Sequence, residues 1–133
     1  MARVLFVCVE NAGRSQMSAA LFERSAAGRH QARSAGTRPA AAVNPVVVDA
    51  MSELGIELSS PVPQRLEREQ AEWADVVVTM GCGDECPYVP GKRYLDWELR
   101  DPKGLSLHEV RSIRDEISGR VDELVTMLDR TDS

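Results

Sequence analysis

The stretch Cys8-Val9-Glu10-Asn11-Ala12-Gly13-Arg14-Ser15 joins two segments of different periodicity. Leading into it, Arg3 to Val9 is short, apolar and rich in β-branched residues, the pattern of a buried strand. Leading out, Arg14 to Ala27 carries good helix formers, with Met17, Ala20, Leu21 and Arg24 at helical spacing and Gly28 as a stop. A tight loop between a strand and a helix N-terminus turns successive backbone N–H groups inward and makes an anion cradle. Arg14 is able to fork two N–H bonds onto two oxygens of a tetrahedral oxyanion. The same amides, the helix dipole and Arg14 favour a thiolate at Cys8. Ser15 offers that thiolate a hydroxyl, Asn11 is suited to bonding back onto the loop backbone, and Gly13 is the residue expected to take positive φ. Val9, Glu10 and Ala12 complete the binding loop. The spacing is not that of a nucleotide P-loop, which needs Gly, four residues, then Gly-Lys-Ser/Thr. The bland alternative is a core cysteine at a strand end.

Outward from this loop the chain alternates strands and helices. Gln31 to Ala35 reads as a second strand, and Gly36 to Pro45 as a loop punctuated by Pro39 and Pro45. A helix is expected from Pro45, where proline suits a first turn, to Gly55. A shorter helix is expected over Arg65 to Trp73, its Arg/Glu run forming a solvated face with i,i+4 pairs. Asp75 to Met80 reads as a buried strand, Gly81 to Gly91 as a loop and Arg93 to Trp97 as a last short strand. Leu107, Val110, Ile113, Ile117, Val121, Leu124 and Leu128 recur at three- and four-residue steps and make one apolar stripe on a long helix. The reading is an α/β fold: four parallel strands with right-handed crossovers and helices on both faces. Ligands of such sheets bind beyond the carboxyl ends of the strands. That places the loops after Val9, Met80 and Trp97 at one end.

The 133 residues fit one domain, 1–133, large enough to need neither disulfide nor metal for stability. A net charge of −5 without a Lys/Arg run argues against nucleic acid and anionic membrane as partners. No stretch approaches the ~20 apolar residues of a membrane span, and the N-terminal apolar run is too short for a signal peptide. The expectation is a cytoplasmic protein. In that reducing compartment three cysteines are catalytic, metal-binding or merely buried rather than a disulfide framework.

Cys82 and Cys86 lie in the Gly-rich segment Gly81-Cys82-Gly83-Asp84-Glu85-Cys86-Pro87. They read as a redox pair, because thiol–disulfide exchange needs sulfurs open to in-line attack. Half a zinc site is the rival, weakened because His30 and His108 lack ligand-pair spacing; no metal is expected. Both histidines read as surface residues, and Trp73 and Trp97 as packing at core edges. Asp101, before Pro102, is on its own a solvated turn carboxylate or an acid.

The Cys8–Ser15 segment resembles the phosphate-binding loop of the low-molecular-weight tyrosine phosphatases and of the arsenate reductases that share their fold. The similarity runs from Arg3 to about Leu128. Ser34-Ala35-Gly36-Thr37, Val43-Asn44-Pro45, Met51 to Ile56 and Asp75 to Met80 resemble the reductase branch, and Asp101-Pro102 resembles the loop carrying the family's general acid. The sequence departs from the family in three places. Glu10 stands where Gly is usual, Gly13 replaces a frequent second cysteine, and Cys82 and Cys86 are closer together than in the thioredoxin-linked enzymes. The resemblance implies reduction of arsenate to arsenite for arsenic detoxification. Cys8 is then the nucleophile, Arg14 the oxyanion clamp, Asp101 the acid, and Cys82 and Cys86 a disulfide relay. It implies no tightly bound cofactor and an external thiol reductant, thioredoxin or a mycoredoxin or glutaredoxin. Phosphate and sulfate would compete with arsenate, and the protein is expected to act as a monomer. Two rivals are a tyrosine phosphatase and a non-catalytic thiol-switch or metal-sensing protein. Against the first, the Gly36 to Pro45 loop has no aromatic residue to wall a phenyl ring, and Lys103 stands where those phosphatases usually have Tyr.

Overall fold

The computed structural model describes residues 1–81 and 90–131. Its elements run β1 (Arg3–Cys8), α1 (Arg14–Ala26), β2 (Gln31–Gly36), α2 (Pro45–Ser52), α3 (Arg68–Trp73), β3 (Val76–Thr79), β4 (Arg93–Asp96) and α4 (Leu107–Thr131). The four strands form one sheet in the order β2-β1-β3-β4, all parallel. β1 sends its chain outward to β2 on one side and has β3 on the other. The crevice beyond the carboxyl ends of β1 and β3 is therefore the switch point of the sheet, where such folds hold ligands.

Side-chain alternation along β1 divides the core. Val4, Phe6 and Cys8 point into the larger apolar cluster with Met17, Phe22, Val47, Met51 and the α4 stripe. Leu5 and Val7 point into a smaller cluster with Ala35, Ala74 and Val77, flanked by Leu66, Trp73 and Tyr94. Helices α1, α2 and α4 thus cover one face and α3 the other. Phe6 sits at the centre of the larger cluster, its ring 5.6 Å from Phe22 and 5.8 Å from Trp97. The α4 stripe packs as its periodicity requires, with Val110, Ile113, Ile117, Val121, Leu124 and Leu128 buried.

Three expectations are corrected. The short helix begins at Arg68 rather than Arg65, because Gln64 to Leu66 pair with the end of β2: Gly36 N–H donates to Gln64 O (2.8 Å) and Leu66 N–H to Gly36 O (2.9 Å). The helix then starts behind a capping box of Glu67 and Gln70. The helix from Pro45 ends at Ser52, not Gly55; Ile56 N–H returns to Met51 O and Gly55 takes φ +76°. His30 is buried, not superficial. Ala2 N–H donates to its Nδ1 (3.0 Å), so Nε2 carries the proton given to Asp129 Oδ1 (2.8 Å), tying the chain start to the end of α4. Trp73 lies at a core edge as read, with the Arg33 guanidinium stacked 4.1 Å over its ring. The solvated face of α3 carries the expected i,i+4 pair, Arg68–Glu72. Among the described residues, no helix is long and apolar enough to cross a membrane.

Glu53 joins the end of α2 to α4. It accepts hydrogen bonds from Arg111 and from Arg114, whose Nη1 also donates to Ala50 O (2.8 Å). Those bonds, Arg111's first, hold the Glu53 carboxyl down at about 2 against an ordinary 4.5. A carboxylate held down in the folded state stabilises fully above its unfolded value and loses that contribution as pH falls through the folded one. Urea unfolding of Glu53→Gln should therefore fall short of wild type most at neutral pH, with the gap closing between pH 4.5 and about 2. A gap of constant size across that range would mean that the carboxylate charge is not what joins the helices.

Candidate active site

The loop after β1 is organised by Asn11. Its backbone takes the left-handed conformation, φ 52°, which Asn tolerates better than other non-glycine residues. Both polar atoms of its buried side chain are bonded: Nδ2 donates to Ser15 Oγ (2.7 Å), and Oδ1 accepts from Gln16 Nε2 (3.2 Å) and Gln64 N–H (2.8 Å). Its own N–H points at Cys8 Sγ (3.3 Å). Ser15 Oγ lies 2.8 Å from the same sulfur. The Asn11 amide and the Ser15 hydroxyl are thus both directed at Cys8, which is buried and free, and a thiolate there is hydrogen-bonded rather than merely enclosed.

Positive φ therefore falls on Asn11 and not on Gly13, whose φ is −146°. Glycine is needed at 13 for a different reason. A Cβ there would come within 2.5 Å of Pro102 Cγ, so its absence lets the Asp101–Pro102 segment close onto the loop. Gly13 also begins α1 without a side-chain cap, and the first turn holds no acidic residue, leaving its amides and dipole for an anion. Gly36 is excluded from larger side chains in the same way, since a Cβ there would meet Val9 O at 2.6 Å and Asn11 N at 2.8 Å.

Arg14 is buried at the base of α1, and its guanidinium reaches across to the end of the sheet. Nη1 donates to Leu99 O (3.2 Å) and Nη2 lies 3.7 Å from Asp101 Oδ2. Gly81, after β3 with φ +78°, abuts that guanidinium; a side chain at 81 would collide with Nη1. Asp101 is half exposed, and its Oδ1 accepts the Lys103 N–H (3.0 Å). Lys103 Nζ in turn bonds Glu10 Oε1 (3.0 Å). These groups line a small open cavity of about 40 Å³, bounded by Cys8, Glu10, Ala12, Gly13, Arg14, Asn44, Asp101, Pro102 and Lys103.

The structure brings together Cys8, Glu10, Ala12, Gly13, Arg14 and Asp101 around one cavity, as the sequence pattern anticipates. Asn11 and Ser15 stand behind the sulfur, and Val9 carries the loop backbone, its carbonyl accepting from Arg38 N–H (2.7 Å). Cys82 and Cys86 lie outside the described residues. Sequence reasoning missed the places of Asn44, Gly81, Gln16 and Gln64. Asn44 was findable, because Asn before Pro at a helix start is a cap; its Oδ1 accepts from Val46 N–H at 2.9 Å. The others depend on contacts between distant segments.

Ser15→Ala removes the hydroxyl facing Cys8 Sγ. One hydrogen bond to a charged group is worth ~1.5 kcal/mol, so iodoacetamide alkylation of Cys8 at pH 7 should slow by about tenfold. An unchanged rate would show that Ser15 supports the loop and not the thiolate.

The fold that carries this cavity recurs in known proteins. The profile of the low molecular weight phosphotyrosine protein phosphatases matches residues 3–133. A putative arsenate reductase of Halobacterium salinarum is 41% identical over 124 residues, 90% of this chain and 87% of its own length. A glutaredoxin arsenate reductase of Synechocystis is 34% identical over 131 residues, covering 96% and 99% of the two chains. Among solved structures, a thioredoxin-dependent arsenate reductase of Corynebacterium glutamicum superposes with a TM-score of 0.87 at 42% identity over 98% of this chain; the chain spans 63% of that protein's length. An arginine phosphatase of Geobacillus stearothermophilus gives the same TM-score, 0.87, at 28% identity, covering 98% and 95% of the two chains. The parallel sheet and its helices are thus shared with these proteins, and the chain belongs to the low molecular weight phosphotyrosine protein phosphatase family, in the branch that holds its arsenate reductases.

Proposed function

We propose that this chain reduces arsenate to arsenite in the cytoplasm, as a single-domain monomer that spends thiol electrons through Cys8, Cys82 and Cys86. The observation that carries the reading is the cavity itself. It holds a hydrogen-bonded cysteine, a buried guanidinium and an acid, and among the described residues none that lines it is aromatic. Such a cavity suits a bare tetrahedral oxyanion better than the phenyl ring of a phosphotyrosine. Arsenate matches phosphate in shape and charge, so phosphate and sulfate compete for the same cradle.

The Cys8 thiolate attacks arsenic, and a hydroxide leaves as water with a proton from Asp101. The loop amides and Arg14 hold the charge on the remaining oxygens. Cys82 then attacks Cys8 Sγ; a Cys8–Cys82 disulfide forms, and the arsenic leaves with the bonding electron pair as arsenite. Cys86 attacks Cys82, freeing the Cys8 thiolate and moving the disulfide to the Cys82–Cys86 pair. An external dithiol restores Cys82 and Cys86. Thioredoxin is our choice of reductant; the relatives' names support both thioredoxin and glutaredoxin chemistry.

A second reading, hydrolysis of phosphate monoesters, needs only Cys8, Arg14 and Asp101, all present. It fits as a slow side activity that Cys82→Ser retains on p-nitrophenyl phosphate while losing arsenate reduction.

Arg14→Lys keeps a charge but loses the planar fork, and should cost at least ~100-fold in arsenate turnover measured by coupled NADPH oxidation. A change under about threefold would make Arg14 structural. Cys86→Ser should release about one arsenite per chain and stop as a Cys8–Cys82 disulfide, visible by peptide mass mapping. Multiple turnover at the wild-type rate with thioredoxin would remove the relay and favour an external thiol attacking the Cys8 adduct.

A further inference from the structure

Glu10 places a carboxylate on the wall of a cavity built for an anion. Left bare, it would repel a di-anionic oxyanion and weaken the cradle. It is not bare: Lys103 Nζ bonds Glu10 Oε1 at 3.0 Å, and the Glu10 carboxylate raises the Lys103 ammonium above its ordinary value. Lys103 is also tied to the acid, since its N–H donates to Asp101 Oδ1 at 3.0 Å. Pro102, between them, rests against Gly13 so closely that a Cβ on Gly13 would meet it at 2.5 Å. The segment 101–103 therefore packs its Pro102 ring against the Cys8 loop at Gly13 and is joined to that loop by an ion pair at Glu10. The pair joins residues 93 positions apart and is well exposed, so it contributes little to global stability. Its position at the cavity mouth gives it a local role.

We propose that Glu10 and Lys103 form a latch of positioning residues: Lys103 neutralises Glu10 so that the cradle accepts a tetrahedral oxyanion, and the closed pair holds Asp101 over the substrate. The assignment of the chemistry rests on the arsenate-reductase reading, but the latch acts on any phosphate-like anion in this cavity.

Two consequences separate the two halves of the role. Lys103→Ala exposes the Glu10 carboxylate, so affinity for inorganic phosphate should fall by about tenfold, read as the protection phosphate gives Cys8 against iodoacetamide. Removing the carboxylate as well, in Glu10→Ala with Lys103→Ala, should bring that affinity back to within about threefold of wild type. Arsenate turnover by this double variant should show a recovered KM with kcat still depressed, because nothing latches the acid segment. The charge-swapped pair Glu10→Lys with Lys103→Glu should recover both. Raised ionic strength should mimic the loss of the latch in wild type and change the double alanine variant little. Unfolding midpoints of all variants should stay near wild type, which separates a latch from a folding defect. A double alanine variant no better than Lys103→Ala would mean that Lys103 binds the anion itself, and a charge swap as poor as either single change would remove the latch. Phosphate protection needs no turnover, so a chain that protected Cys8 as described yet failed to reduce arsenate would sink the reductase reading and leave the latch standing.

Discussion

The Cys8–Ser15 loop depends on Asn11 being held in the left-handed conformation. That single backbone state turns the Asn11 N–H onto Cys8 Sγ and sends its side chain inward, where it is bonded to Ser15, Gln16 and the backbone of Gln64. Strain of this kind persists only where the surroundings over-determine it, and three separate segments do so here. Gln64 reaches Asn11 because residues 64 to 66 pair with Gly36 at the end of β2 instead of continuing α3 backward. The shape of the Cys8–Ser15 loop is thus set partly by a segment more than fifty residues away.

The sheet supplies the second constraint. In the order β2-β1-β3-β4, the ends of β1 and β3 lie side by side, and Met80 N–H is bonded to Val7 O at 2.8 Å. Gly81 follows at once, and only glycine leaves room for the Arg14 guanidinium. Arg14 is held between Gly81, after β3, and Leu99 and Asp101, both on the connection from β4 to α4. The protein's own contacts thus fix the guanidinium, as the proposed clamp requires if it is to avoid reorganisation cost during reaction.

Glycine serves this site by being small more than by being flexible. Neither Gly13 nor Gly36 takes positive φ, yet both stand where another chain segment comes too close for a Cβ. Gly13 admits Pro102, and Gly36 admits the Val9 and Asn11 backbone. Expecting positive φ at Gly13 was reasonable for a tight loop, but the loop places that burden on Asn11, whose side chain can bond the surrounding backbone as glycine cannot.

The sequence by itself determined the alternation of strands and helices, the stripe of α4, and the candidate cradle of Cys8, Arg14 and Ser15, because these follow from local periodicity and from short-range chemistry at a helix start. It also carried the family, through motifs spread along most of the chain. Helix boundaries near residues 52 and 68 were decided by pairing and capping that the local pattern does not encode. The buried state of His30 was decided by tertiary contact alone, since Ala2 and Asp129 saturate its ring from opposite ends of the chain. The same holds for Glu10: in sequence it is a carboxylate at odds with an anion site, and only the fold brings Lys103 within 3.0 Å to neutralise it. Electrostatic sign at a site is a sum over neighbours in space, and a linear sequence does not specify which charges those neighbours bring.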